Sequence, residues 1–323
     1  MTYDTEISEK KKHPSAFFGI ALIFFLIAVI IYSGKSREVL LEAMIMCAKT
    51  VVPSVFVFAV AGNLIGSGVA CFPRFLTLPI SKIFGVGREG AGALLPGLFA
   101  GFPVGVSAAV RLYERGAINK YELCRISAFS CTPGMAFVIS GVGEGMLGDK
   151  RAGVIIYISV MISVFAVGYF TRKKNLPKED IHTAFASAEN IDLPGALAKA
   201  VTKSGSAMIV MTSFVLFFSQ ISFFITPLAS FTAFPELSEA IIKSLLEVSQ
   251  ACRAAAELDK TRGMILSAFA CAWSGISFQM QTFALGGKYF GTSDLVRIAI
   301  FRLFTALSAC SISAVICKVL EIT

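Results

Sequence analysis

The groups in this sequence best able to do chemistry lie at four places where apolar runs are interrupted. The first is Gly101-Phe102-Pro103-Val104-Gly105 and the second Ser130-Cys131-Thr132-Pro133-Gly134. The third, Glu247-Val248-Ser249-Gln250, carries a carboxylate, and the fourth, Trp273-Ser274-Gly275-Ile276-Ser277, is followed closely by Gln279. Proline removes a backbone donor and glycine weakens a helix, so each break frees N–H and C=O groups. In a bilayer such groups are tolerated only where protein or a water-filled cavity satisfies them. Half-helix N-termini offer free N–H groups and a partial positive charge, which suits a carboxylate or phosphate. Half-helix carbonyl ends suit a cation. Ser130, Thr132, Ser249, Gln250, Ser274, Ser277 and Gln279 add hydroxyls and amides that can orient a polar ligand. Together with Gly101, Phe102, Pro103, Gly105 and Glu247 they make the candidate substrate-binding set. Taken singly, each polar group has a plainer alternative in helix–helix hydrogen bonding. Four breaks in matching places favour the site.

Glu247 stands apart, because a carboxylate in an apolar hairpin is expensive to bury. It could accept a coupling proton, bind Na⁺ together with carbonyl ends, or hydrogen-bond a substrate, and it is the candidate for ion coupling. The structural alternative is an ion pair with Arg253 or Lys243. Arg253 in turn could neutralise Glu247 or hold an anionic substrate bidentately. No HExxH or GxSxG motif, His cluster or acidic pair accompanies the breaks, so no enzyme is expected. No Walker motif is present either, so uphill transport would need ion coupling or a partner. The two histidines, His13 and His182, sit in polar flanks, and neither a metal site nor a cofactor is expected.

The elements that must position these groups follow from composition. The 323 residues are 55% hydrophobic and only 15% charged, with a mean hydropathy of +0.75. A soluble domain carries about 25% charged residues, so the chain reads as an all-α polytopic membrane protein. Its length holds roughly eight to ten segments of about 20 residues. The net charge of +8 does not imply nucleic acid, because most of the 29 basic residues flank apolar runs, as orientation signals do. The eight cysteines form no CxxC pair and read as small packing residues.

In chain order, residues 1–34 hold a basic flank and an N-terminal apolar span over Ser15–Ser33, retained rather than cleaved. Lys35–Lys49 alternates charged and apolar groups and is expected along the membrane interface, before a span over Thr50–Val69. Phe72–Val86 reads as a surface segment. Gly90–Arg115 has basic residues at both ends, which suits a re-entrant hairpin, with a full span as the alternative. Lys120–Leu147 is a broken span and Gly153–Phe170 a clean one, closing a first repeat over 35–174. Residues 175–193 are a polar linker. A second repeat over 194–323 follows the same plan, with a lead-in over Pro194–Lys203, a span over Ser204–Ile225 and a loop over Pro227–Ser238. A hairpin over Glu239–Leu258, a broken span over Gly263–Tyr289 and a final span over Asp294–Val319 complete it. Asn63 and Gln220 sit at similar depth in the two leading spans. Three crossings plus one hairpin per half require the halves to be inverted. A cytoplasmic N-terminus then puts most Lys and Arg inside, with Phe185 in the cytoplasmic linker and Thr232 on the far side.

These residues carry a family resemblance. Val52-Pro53-Ser54-Val55-Phe56, Gly101-Phe102-Pro103-Val104-Gly105, Arg111-Leu112-Tyr113, Thr132-Pro133-Gly134, Leu246-Glu247-Val248 and Ser274-Gly275-Ile276-Ser277-Phe278-Gln279 are the matching pieces. With them the chain resembles the nucleoside-recognition (Gate) domain membrane proteins, and among these the sporulation integral membrane proteins of the YlbJ type. It departs from the pattern at Val106, Ser107 and Ser249. The resemblance implies a fold similar to concentrative nucleoside transporters, an inverted repeat with two re-entrant hairpins and two broken helices around a midplane site. It also implies movement of a nucleoside-like or dipicolinate-like metabolite in sporulation. The expected function is therefore secondary transport of a small polar or anionic metabolite across a cell membrane. The expected partners are that substrate, a coupling proton or sodium ion, and the bilayer. A homo-oligomer is open, and a non-transporting assembly component of a membrane complex is the alternative.

Overall fold

The computed structural model describes residues 16–66, 72–130, 132–173 and 193–322, and every element among them is helical. The apolar α1 (Ala16–Ile31) precedes α2 (Ser33–Met46), which passes through a π-wound turn, Cys47–Val51, into α3 (Val52–Gly66). Pro53 lacks an N–H and its ring crowds the carbonyl four residues back, so the winding widens just before it instead of breaking. This corrects the expectation of a separate interfacial helix over Lys35–Lys49, because Ser33–Leu64 is one apolar helix of 32 residues. The expected lead-in at Pro194–Lys203 is likewise continuous with its span, in α9 (Leu193–Ile225). The linker position Phe185 lies outside the described residues.

Between these long helices, α4 (Arg74–Phe84) is a short segment with Thr77, Ile80 and Phe84 buried. Next, α5 (Arg88–Ala100) and α6 (Val104–Glu114) fold back on one another as a hairpin. The helix α7 (Lys120–Phe129) starts from a capping box in which Asn119 and Glu122 each accept the other's backbone N–H. It breaks at Ser130–Gly134 and resumes as a π-wound segment, Phe137–Met146, before α8 (Lys150–Phe170). The second half repeats the order. After α9, the helices α10 (Pro235–Leu246) and α11 (Val248–Ala256) form a hairpin. Then α12 (Lys260–Trp273) and α13 (Gly275–Gly286) form a broken span, followed by α14 (Thr292–Val319).

Ion pairs fix the directions of these elements. Lys120 at the start of α7 pairs with Asp294 at the start of α14 (3.0 Å), whereas Lys260 at the start of α12 pairs with Asp149 before α8 (2.9 Å). Thr261 donates to the carbonyl of Ile322 just past α14, at that same second end (2.6 Å). The two broken spans therefore start from opposite ends of the bundle. The long helices do the same. Ser36 exchanges two hydrogen bonds with Gln220 (2.8 and 2.7 Å), and Asn63 donates to Ser204 (3.0 Å), so α2–α3 and α9 run antiparallel. Five helices among the described residues are long and apolar enough to cross a membrane, as an all-α polytopic protein requires. Their outer faces expose Val57, Ile209, Phe304 and Val315, which suits lipid.

Candidate functional site

Each hairpin tip docks on the break of the following span, and in each half glycine makes the approach possible. Gly101, at φ +77°, bridges to Pro133, and Phe102 N donates to the Thr132 carbonyl at 3.2 Å. A Cβ on Gly101 would stand 2.2 Å from that carbonyl oxygen. In the second half Gly275, at φ +80°, lies under the other tip, and a Cβ there would stand 2.4 Å from the Leu246 carbonyl oxygen. Only glycine is comfortable at such φ values with backbone this close. The breaks of the second half are narrower than the sequence suggested. In α10–α11 only Glu247 is non-helical, and in α12–α13 only Ser274 is.

The two tip–break pairs meet across the bundle. Phe102 packs edge-on against Phe278 of α13 with ring centroids 4.9 Å apart. Beside them is a cavity of about 60 Å³, lined by Val51, Val55, Phe102, Pro133, Gly134, Phe137, Met211, Val215, Glu247, Val248, Ser249, Ser274, Phe278 and Gln281. Of the expected set, Phe102, Glu247, Ser249 and Ser274 face this space. Gly101, Pro103, Gly105, Ser130 and Thr132 lie behind it where tip meets break, with Gly105 packed tightly on Ser130. Gln250 turns away and donates to Ser219 (3.2 Å). Ser277 accepts from Gln281 (2.9 Å). Thr132 Oγ1 and both amide atoms of Gln279 are buried without a hydrogen-bond partner among the described residues.

Glu247 is only 2% exposed, and its carboxylate accepts from Ser249 N and Gln250 N (both 2.9 Å) and from Ser249 Oγ (3.1 Å). It is the N-cap of α11, so this half-helix N-terminus is filled by the chain's own carboxylate rather than left open for an anion. The ion-pair alternatives do not form. Arg253 binds Glu42 of α2 (2.9 Å) and Lys243 binds Glu239 (2.5 Å). Arg253 and Glu42 are well exposed and border two broad surface depressions, of about 900 and 560 Å³, near the open end of the α10–α11 hairpin. Among the described residues, Glu247 is the only ionisable one lining the cavity.

Two arginines that the basic-residue count takes by sign alone, Arg125 and Arg302, are buried and bound to carbonyls. Arg125 is fully buried and donates to the carbonyls of Phe84 (2.7 Å), Gly168 (2.6 Å) and Thr171 (3.0 Å), closing the C-terminal ends of α4 and α8. Arg302, in α14, donates to the carbonyls of Trp273 (3.0 Å), Ala272 (2.6 Å) and Ala128 (3.1 Å), and to Ser274 Oγ (2.7 Å). It therefore joins the break after α12 to the end of α7. The signal for Arg302 was available. It stands well inside the apolar run after Asp294, and an arginine at depth in a span is a functional candidate by default.

The fold and site define an all-helical polytopic membrane protein in which two helical hairpins and two broken spans converge on a buried cavity. The chain is similar to the sporulation integral membrane protein YlbJ of Bacillus subtilis (strain 168). The two are 23% identical over 295 residues, covering 80% of this chain and 72% of that protein. The YlbJ-type resemblance expected from the motifs is thus borne out. No family model matches the chain, and no solved structure does.

Proposed function

We propose that this protein is a secondary-transporter-like membrane protein that moves a small polar or anionic metabolite, nucleoside-like or dipicolinate-like, using a proton or sodium ion as coupling partner. The observation that carries this reading is the meeting of two hairpin tips and two helix breaks at one buried cavity holding one carboxylate. A non-transporting structural component has no need to bring four interruptions together at depth, where each exposes backbone to a medium without water. Metabolite sites occupy about 300–1,000 Å³, so a cavity of about 60 Å³ represents a closed state. Admitting substrate requires a hairpin tip to leave its break. The buried, unpartnered Thr132 hydroxyl and Gln279 amide supply groups that a substrate or a moved tip can satisfy.

In this reading the protein is not an enzyme, and the end bearing Lys120 and Asp294 is cytoplasmic together with the N-terminus. The relative's name carries the further proposal of a role in sporulation. The test is flux into proteoliposomes of nucleosides and of small aromatic carboxylates, with and without proton and sodium gradients. Uptake driven by either gradient is expected. Equal, gradient-independent leakage in liposomes with and without the protein would leave the assembly-component reading in its place.

A further inference from the structure

Arg302 carries an inference about ions that rests on the transporter reading. Helix C-termini leave carbonyls with partial negative charge. At the ends of α7 and α12 three of them, from Ala128, Ala272 and Trp273, point at one buried position. A cluster of carbonyls at the ends of broken helices is where a transporter can coordinate a dissociable metal cation. Here a guanidinium occupies the cluster, with Nε on Trp273, Nη1 on Ala128 and Nη2 on both Ala272 and Ser274 Oγ. Its central carbon Cζ lies 4.5 Å from the ring centroid of Phe278, which in turn touches Phe102 at the other hairpin tip. Arginine does not lose its charge in proteins, so this cation is permanent and covalently tethered.

We infer that Arg302 stands in for a dissociable coupling cation at the helix breaks, so that the closed state assembles without sodium and ion coupling falls to a proton on Glu247. Among the described residues, the titratable groups that sense Glu247 include the thiols of Cys47 and Cys252, which cannot neutralise a carboxylate. No lysine or arginine among the described residues stands in ion-pair contact with the carboxylate to hold it permanently charged. Arg302 thus acts as a positioning residue. It holds the carbonyl ends of both broken spans in the arrangement that brackets the cavity.

The chain has one tryptophan, Trp273, whose carbonyl binds Arg302 and whose indole N–H donates to the Leu245 carbonyl beside the second tip (3.3 Å). Its emission therefore reports on the contact in question. Purified wild-type protein and Arg302→Ala are melted in sodium chloride, in choline chloride, and in choline chloride with millimolar guanidinium. The wild type is expected to melt at the same temperature in sodium and in choline. The alanine variant is expected to melt about 5–10 °C lower. Guanidinium, and not sodium, should recover most of that loss. Arg302→Lys should fall between, because one ammonium cannot span three carbonyls in a fixed fork. A wild type that melts higher in sodium than in choline overturns the inference, and this arm needs no variant to fold. So does an alanine variant that sodium rescues as well as guanidinium does. A protein with the expected salt pattern but no gradient-driven flux would sink the transporter reading and leave Arg302 as the tethered cation.

Discussion

Glu247 shows how one side chain can serve both the fold and the proposed coupling. Its carboxylate is the cap of α11, and capping interactions contribute about 1–2 kcal/mol. Glu247→Gln keeps an oxygen to accept from Ser249 N or Gln250 N but fixes the neutral state. The glutamine variant is expected to fold and to exchange substrate between equally loaded compartments, while losing accumulation driven by a pH gradient. Glu247→Ala is expected to lose both exchange and accumulation, since three donors, Ser249 N, Ser249 Oγ and Gln250 N, then lack their acceptor. A glutamine variant that still concentrates substrate would remove Glu247 from coupling. The sequence singled this residue out, because a lone carboxylate in an apolar hairpin is expensive to bury. Its environment was not legible there. Arg253 is close in sequence, yet α11 carries it out to Glu42 at the surface while the carboxylate folds back onto its own helix. Arg302 was discounted for the opposite reason. Counted by sign alone it looks like an orientation signal, and only the converging carbonyls of Ala128, Ala272 and Trp273 reveal what it binds.

Among the elements, the interruptions were the most legible feature, since glycine and proline act locally and announce themselves. Hairpins and broken spans were told apart by basic residues at both ends of Gly90–Arg115, and α5–α6 folds back as that pattern requires. Helix continuity was less legible. Polar residues such as Lys35, Glu38 and Glu42 suggested a helix lying on the membrane, whereas α2 carries them up one long helix whose buried side is lined by Ser36 and Ala43. The glycines under the tips yield a direct prediction. Gly275→Ala adds a Cβ against the Leu246 carbonyl at a φ that alanine rarely adopts, so the tip of α10–α11 must lift. The variant is expected to insert normally, to melt several degrees below wild type, and to shift the emission of Trp273. Unchanged melting and emission would mean the tip is not seated on this break. Away from the tips, the Asp149 carboxyl is held below the ordinary carboxylate range by its hydrogen bonds to Lys260 and to the Arg151 N–H. Its contribution is therefore complete above the ordinary carboxyl pKa and is lost as pH falls through the lowered value. Melting curves of wild type and Asp149→Asn should differ at pH 7 and converge in acid.

At the scale of the whole molecule, the inverted order of the halves was legible from spacing and basic residues, and the structure adds the contacts that set it. Ser293 and Thr232 are exposed at opposite ends. Single cysteines at these two positions, in a cysteine-free background, are expected to label from opposite faces, with Ser293 on the N-terminal side. Labelling of both from one face would refute the three-crossing plan for each half. The polar ties between halves have a consequence for how the chain is made. Ser36 and Asn63 leave the ribosome 184 and 141 residues ahead of Gln220 and Ser204, and the Ala128 carbonyl leads Arg302 by 174. Until the later partner arrives, these groups enter the bilayer with no bonding partner of their own, a state that lipid penalises. A fragment of residues 1–174 produced alone should therefore be short-lived in cells and should persist when residues 175–323 are synthesised alongside it. Construction of this protein is a race in which the first half must survive long enough to be completed by the second.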